Sequence, residues 1–225
     1  TAFVDGKTVV PMIASQDHKR IFDGDKGPNT GGMGTYAPAP VLTDALRDEA
    51  MKTILEPMVA AMEKEGMPYV GCLYAGLMIT SQGPKVVEFN ARFGDPETQV
   101  VLPLLDSDLG QIMMACATGT LTADMVKWKD SSAACVILAS KGYPETSSKG
   151  DVIHGDIKQH DTTIVFHSGT KLIGDEYVTN GGRVIGVVGL GKDLRTALDR
   201  AYGRIEHIDF EGMQYRTDIG AKAFK

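Results

Sequence analysis

The chain reads as α+β: an antiparallel sheet with helices, followed by a small, mostly antiparallel β domain that carries one helix. Three observations predict this. Turn residues join apolar, β-branched runs at Asp5-Gly6, at Ser81 to Pro84 and at Asn180-Gly181, which is hairpin chemistry. Apolar residues recur at helical spacing behind Thr43 and behind Asp193. Beyond Asp130, short apolar runs follow one another closely, as in small antiparallel sheets.

In order, Thr1 to Val4 turns at Asp5-Gly6 into a strand over Lys7 to Ile13. The chain opens inside a strand with no initiator Met, and reads as the carboxy-terminal part of a longer protein. Ala14 to Arg20 is a polar cluster at a strand end. Asp23 to Pro40 is a long loop of the functional kind, with glycines clustered before prolines. Such glycines let consecutive backbone N–H groups converge on an anion. It is neither a Walker loop nor a Rossmann turn, because no strand leads straight into it and no Gly-Lys-Ser/Thr closes it.

Thr43 caps a helix of about 20 residues whose stripe is Leu46, Ala50, Ile54, Met58 and Met62. Pro57 should kink it and Gly66 end it. Tyr69 to Thr80 is a buried strand, paired as a hairpin with the strand that follows. Asp106 to Asp108 caps a helix stopping at Gly119. A polar stretch from Leu121 divides residues 1–121 from 122–225. The second part has strands at Ala133–Ala139, Asp151–Ile153, Thr163–His167 and Tyr177–Thr179, then an Asn180-Gly181 hairpin into Arg183–Val188. A helix from Asp193 to about Ile205 follows, so Gly189 to Lys192 is a strand-to-helix turn rather than a nucleotide loop.

The net charge of −6, with no basic run, argues against nucleic acid as the main partner. No stretch is apolar enough to span a membrane. Cys72, Cys116 and Cys135 fit no zinc spacing and read as reduced, buried thiols of a cytoplasmic protein.

The chemistry gathers on Val86 to Gln99. On a strand, Glu88, Asn90 and Arg92 point one way, and Val87, Phe89 and Ala91 point the other, into a core. A carboxylate and an amide oxygen are hard ligands that suit Mg²⁺, which takes its remaining ligands from phosphate and water. An arginine beside them can stabilise charge on a transferring phosphoryl group.

Three stretches combine: Gln16-Asp17-His18-Lys19-Arg20, Gly27 to Gly34, and Glu88 to Gln99 with its Arg92-Phe93-Gly94-Asp95-Pro96-Glu97 core. Together they resemble the glycinamide ribonucleotide synthetase family of ATP-grasp ligases. Lys149 to Ile153, Asn180 to Val184 and Arg216 to Gly220 extend the resemblance over nearly the whole chain. The resemblance implies ATP-dependent joining of glycine to 5-phosphoribosylamine through glycyl phosphate. It implies that Glu88 and Asn90 hold Mg²⁺ (or Mn²⁺), with Tyr74, Gly76 and Met78 offering no further ligand on the strand before. Arg92 would steady the acyl phosphate. Asp17, Lys19 and Gly31, Gly32, Met33 and Gly34 would serve the amine and phosphate of the ribonucleotide. Asp95 and Glu97 would either orient Arg92 or grip an amino group. The amino-terminal half, with its part of the ATP clamp, would be the missing partner, so this piece alone should not turn over. The alternatives are another ATP-grasp carboxylate–amine ligase, a biotin carboxylase relative, or a module that binds Mg-nucleotide or sugar phosphate without chemistry.

Overall fold

The computed structural model describes residues 1–224. Along them run β1 (Ala2–Asp5), β2 (Val9–Pro11), β3 (Gln16–Asp17), β4 (Arg20–Phe22), β5 (Lys26–Asn29), β6 (Gly34–Ala37), α1 (Asp44–Ala50), α2 (Glu56–Lys64), β7 (Val70–Thr80) and β8 (Gly83–Asn90). Then come α3 (Thr98–Val101), α4 (Leu109–Thr118), β9 (Ser132–Ala139), β10 (His154–Gly155), β11 (Thr163–His167), β12 (Thr170–Ile173), β13 (Glu176–Thr179), β14 (Arg183–Gly191), α5 (Leu194–Ile205) and β15 (Ile208–Asp209). They form two compact units that interleave along the chain. One comprises Thr1–Ala14, Ala39–Gly94 and Leu104–Lys129; the other comprises Ser15–Pro38, Asp95–Pro103 and the chain from Asp130 onward. Compactness therefore does not follow the linear division at 121/122.

The first unit is built on an antiparallel sheet in the order β2-β1-β7-β8. Its opening hairpin is held by Asp5, whose Oδ1 accepts the N–H groups of Lys7 at 3.1 Å and Thr8 at 2.7 Å. Ala2, Val4 and Leu73 pack against Leu55 and Val59, with Phe89 beside them. α4 packs on β1 and β7. It starts where Asp108 Oδ1 accepts the Gln111 N–H at 3.0 Å and stops at Gly119, which has a left-handed φ of +70°. Thr43 Oγ1 likewise caps α1 through the Leu46 N–H at 3.3 Å. Between α1 and α2, Met51–Leu55 is a π-helical turn, and Pro57 stands two residues beyond its end. Proline has no N–H to donate and its ring crowds the carbonyl four residues back, so the helix widens there. β7 is less buried than its composition suggests: Cys72 and Leu73 are inside, whereas Val70 and Met78 are exposed.

The second unit carries a five-stranded antiparallel sheet in the order β11-β14-β9-β6-β3. β9 is buried along its whole length. α5 packs on β14 and β9, and begins where Asp193 Oδ1 accepts the Thr196 N–H at 2.8 Å. Gly189 admits this helix: a Cβ there would lie 2.0 Å from the Ala197 carbonyl oxygen. Gly189 to Gly191, expected in a turn from strand to helix, are instead the paired end of β14, and the turn is confined to Lys192-Asp193 before α5.

Three further expectations change. The stretch from Asp23 to Pro40 is not all loop, because β5 pairs with β4 and the wholly buried β6 joins β9 and β3. Asn180-Gly181 is not a hairpin turn: β13 pairs with β12, while β14 pairs with β9 and β11. The hairpin turn sits instead at Gly174-Asp175, between Leu172-Ile173 and Glu176-Tyr177. Asp151–Ile153 makes only a single bridge, Val152 to Val178. Among the described residues, no helix is long and apolar enough to cross a membrane, and all three cysteines are buried and unpaired.

Candidate functional site

The predicted site residues fall into two sets, one in each unit. In the first unit, β8 lies antiparallel to β7 with Tyr74 opposite Asn90 and Gly76 opposite Glu88. Cross-strand partners share a face, and Asn90 Nδ2 donates to Glu88 Oε1 at 3.0 Å, so both side chains stand on one side. The register then shifts, with Leu77 opposite Val86. Val87 is the extra residue of this bulge, and it is 65% exposed rather than in the core. Phe89 does pack inward. Arg92 lies past the strand end. Its Nη1 donates to the Phe93 carbonyl at 2.9 Å, and its guanidinium sits 5.9 Å from the Tyr74 ring centroid.

The donor set on this face is one carboxylate and one amide. The Asn90 side chain presents its nitrogen to Glu88, and a half-turn of the amide would present oxygen instead. Among the described residues, no group of three or more His, Cys, Asp or Glu side chains could hold a metal ion. A pair of hard oxygens fits a cation that draws most of its shell from phosphate and water, and does not fit a protein-caged metal.

In the second unit, Lys19 Nζ pairs with Asp17 Oδ2 at 2.7 Å at the end of β3. The glycine turn differs from an open anion nest. The Gly31 N–H donates to Tyr143 Oη at 2.9 Å, the Gly32 N–H to Thr30 Oγ1 at 2.9 Å, and the Met33 N–H to the His18 carbonyl at 2.8 Å. These three groups are engaged within the protein. Gly32 has a φ of +113°, and a Cβ on it would lie 2.5 Å from Pro96 Cδ, so close approach dictates glycine there. Met33 is fully buried with Ile21 and Ala139. Asp95 Oδ2 pairs with Arg183 Nη2 at 2.8 Å, and Asp95 Oδ1 accepts from Gln99 Nε2 at 2.9 Å. Glu97 is buried.

His18 stands between Asp17 and Lys19 but faces inward and is buried. Its Nδ1 donates to the Gly34 carbonyl at 3.3 Å, and its Nε2 accepts the Gly220 N–H at 3.4 Å. Burial, with the charges of Arg216 and Lys222 adding to it, pushes its pKa down to about 4, so the ring is neutral. Arg216, itself buried, donates to Asp218 at 2.7 and 2.8 Å, to Asp25 at 2.9 Å and to the Arg20 carbonyl at 3.1 Å. That network ties β4 and the turn after it to the stretch around residue 218. The sequence reading assigned no role to His18, Gln99, Tyr143 or Arg183. Arg183 had the best signal, a charged residue directly after two glycines, and Gln99 stands four residues after its partner Asp95; His18 and Tyr143 had none, since their partners are remote in sequence.

The antiparallel ribbon carrying Glu88 and Asn90 on one face lies in a stretch matched by an ATP-grasp domain model, and that match places the chain in the ATP-grasp class. The comparisons then narrow the class. A model of the phosphoribosylglycinamide synthetase ATP-grasp (A) domain matches residues 1–98, and one of the C domain of the same synthetase matches residues 133–222. The chain belongs to the phosphoribosylglycinamide synthetase family. It is similar to phosphoribosylamine–glycine ligase of Caulobacter vibrioides, at 52% identity over 100% of this chain and 53% of that one. It is also similar to the trifunctional purine biosynthetic protein adenosine-3 of Gallus gallus, at 51% identity over 98% of this chain and 22% of that one. The crystal structure of phosphoribosylamine–glycine ligase from Thermotoga maritima superposes with a TM-score of 0.85 at 34% identity, covering 97% of this chain and 54% of that one. A biotin carboxylase from Campylobacter jejuni shares the fold alone, with a TM-score of 0.70 at 12% identity over 95% of this chain and 46% of that one. The chain thus spans about half the length of the single-function ligases it matches.

Proposed function

We propose that the chain is the carboxy-terminal part of an ATP-dependent ligase that joins glycine to 5-phosphoribosylamine, yielding glycinamide ribonucleotide, ADP and phosphate. The observation that carries this reading is the hydrogen-bonded Glu88–Asn90 pair on one face of β8, in a chain matched along both parts by one synthetase family. Residues 1–121 are the ATP-grasp part and residues 122–225 the smaller carboxy-terminal domain. On this reading the rest of the relatives' length supplies the remainder of the ATP site, and the chain by itself does not turn over. Three buried, unpaired cysteines suit a cytoplasmic setting.

The reaction needs an activated carboxylate. The γ-phosphoryl group of ATP passes to a glycine carboxylate oxygen, and ADP leaves. The amine of phosphoribosylamine attacks the carbonyl carbon of glycyl phosphate, phosphate departs, and the nitrogen loses a proton. Positioning and charge neutralisation carry most of such a transfer. Glu88 and Asn90 are the residues that would hold Mg²⁺ or Mn²⁺, which when bound neutralises phosphate charge. Arg92 steadies charge on the acyl phosphate, and Tyr74 keeps its guanidinium in place. Asp17, Lys19 and the Gly31–Gly34 turn serve the ribonucleotide substrate: Lys19 with its charge, the turn through its fixed outline. Asp95 and Glu97 complete the set, with Asp95 as an anchored acceptor for an amino group.

Glu88→Ala in the complete gene product tests the assignment. It should leave the fold intact and remove most of the glycine-dependent ADP formation, on the order of a hundredfold or more. Near-normal ADP formation would count against the metal assignment.

A further inference from the structure

We propose that Arg183 is a positioning residue for this reaction: it brackets the glycine turn and Asp95 into one fixed geometry. The inference rests on the ligase reading above and adds a residue to which that reading gives no part.

Arg183 opens β14, which lies between β9 and β11 inside the second unit's sheet. Its Nη1 donates to the Gly31 carbonyl at 2.9 Å, to the Gly32 carbonyl at 3.5 Å and to the Asp95 carbonyl at 3.2 Å. Its Nη2 donates to Asp95 Oδ2 at 2.8 Å. One planar group thus holds two backbone stretches that come together from positions 152 and 88 residues away. Tyr143 Oη takes the Gly31 N–H from the opposite polarity at 2.9 Å. A Cβ on Gly31 would lie 3.0 Å from the guanidinium carbon, so glycine and arginine fit each other at this spot.

The arrangement is poorly suited to stability alone. The Asp95 side chain is 51% exposed, and an ion pair this wet contributes little to folding. What the fork supplies is direction. A lysine would bring one point charge and could not serve the Gly31 carbonyl and the Asp95 carboxylate with separate, fixed N–H groups. Arg183 and Tyr143 lie in the part matched by the C domain, whereas Gly31, Gly32 and Asp95 lie in the part matched by the A domain. The C domain therefore shapes motif residues of the A domain, and is more than an appendage to them.

The test uses the complete gene product with Arg183→Lys, Arg183→Met, Asp95→Asn and the Arg183→Lys/Asp95→Asn double variant. Steady-state kinetics is paired with hydrogen exchange of the segment containing Gly31 to Gly34. Arg183→Lys should lower kcat/KM for phosphoribosylamine by about a hundredfold, as a misplaced positioning group does. It should leave KM for ATP and the unfolding midpoint close to wild type. The double variant should be little worse than either single one, because the two side chains act as a unit. Exchange of the turn amides should speed up in Arg183→Met. The inference is overturned if the single losses multiply in the double variant, if all substrates are affected equally together with a lowered midpoint, or if exchange of the turn is unchanged. The wild-type protein reports on the ligase reading separately. If it joins no glycine to phosphoribosylamine, that reading fails, while faster exchange in Arg183→Met would still uphold the bracket.

Discussion

His18 illustrates how a single side chain can tie chemistry to stability. In the folded protein its pKa lies near 4, against an ordinary value of 6.5. Between those values the unfolded chain binds a proton that the folded one does not, so stability falls as the pH drops from about 6.5 towards 4. The full loss from this one group is about 3 kcal/mol. Asp218 behaves differently. Burial would raise its pKa, but the Arg216 guanidinium outweighs that and holds the carboxyl well below its usual range, so its contribution is lost only in stronger acid. The two windows can be separated. His18→Gln should flatten the pH dependence of chemical denaturation between pH 6.5 and 4 and leave the steeper loss below it. An unchanged profile in that window would show that the buried imidazole is not the titrating group. None of this was legible in sequence, where His18 is one of six consecutive polar residues, Ser15 to Arg20; only its partners near Gly34 and Gly220 bury it.

At the scale of elements, local chemistry explains most of what forms. Thr43, Asp108 and Asp193 each place a side-chain oxygen on an N–H of the first helical turn, as their position before an apolar repeat predicts. Asp193→Ala should therefore cost about 1 kcal/mol and lower the melting temperature by about 2–4 °C in calorimetry. A neutral result would mean that packing against β9 and β14 sets the helix start without help from its cap. The β7–β8 ribbon was equally legible as a hairpin, and so was the shared face of Glu88 and Asn90. Alternation failed at Val87, because a bulge inserts a residue and period-2 reasoning has no term for it. The glycine turn was recognised as special for the wrong physical reason. Gly32 is required by the approach of Pro96, and the neighbouring N–H groups are bonded inside the protein.

At the scale of the molecule, the order of residues along the chain and the order of strands in the sheets part company. β3 and β6 come from the first 40 residues, yet they complete the sheet built on β9 and β14. A truncated polypeptide beginning at Asp130 would leave the edge of β9 that faces β6 without a partner. It should therefore lack a cooperative unfolding transition by circular dichroism and bind a hydrophobic dye. A cooperative transition would show that the later strands suffice. Residue identity alone was enough for the caps, the helical stripes, the hairpin bearing Glu88 and Asn90, and the family, because each rests on neighbours within a few positions or on a contiguous motif. Folding in three dimensions had to supply the Val87 bulge, the enclosed His18, the pairing of β6 with β9 and the grip of Arg183 on Gly31 and Asp95. The last three depend on hydrogen bonds closed over distances as long as 202 residues, and no local preference encodes which remote carbonyl a guanidinium will meet.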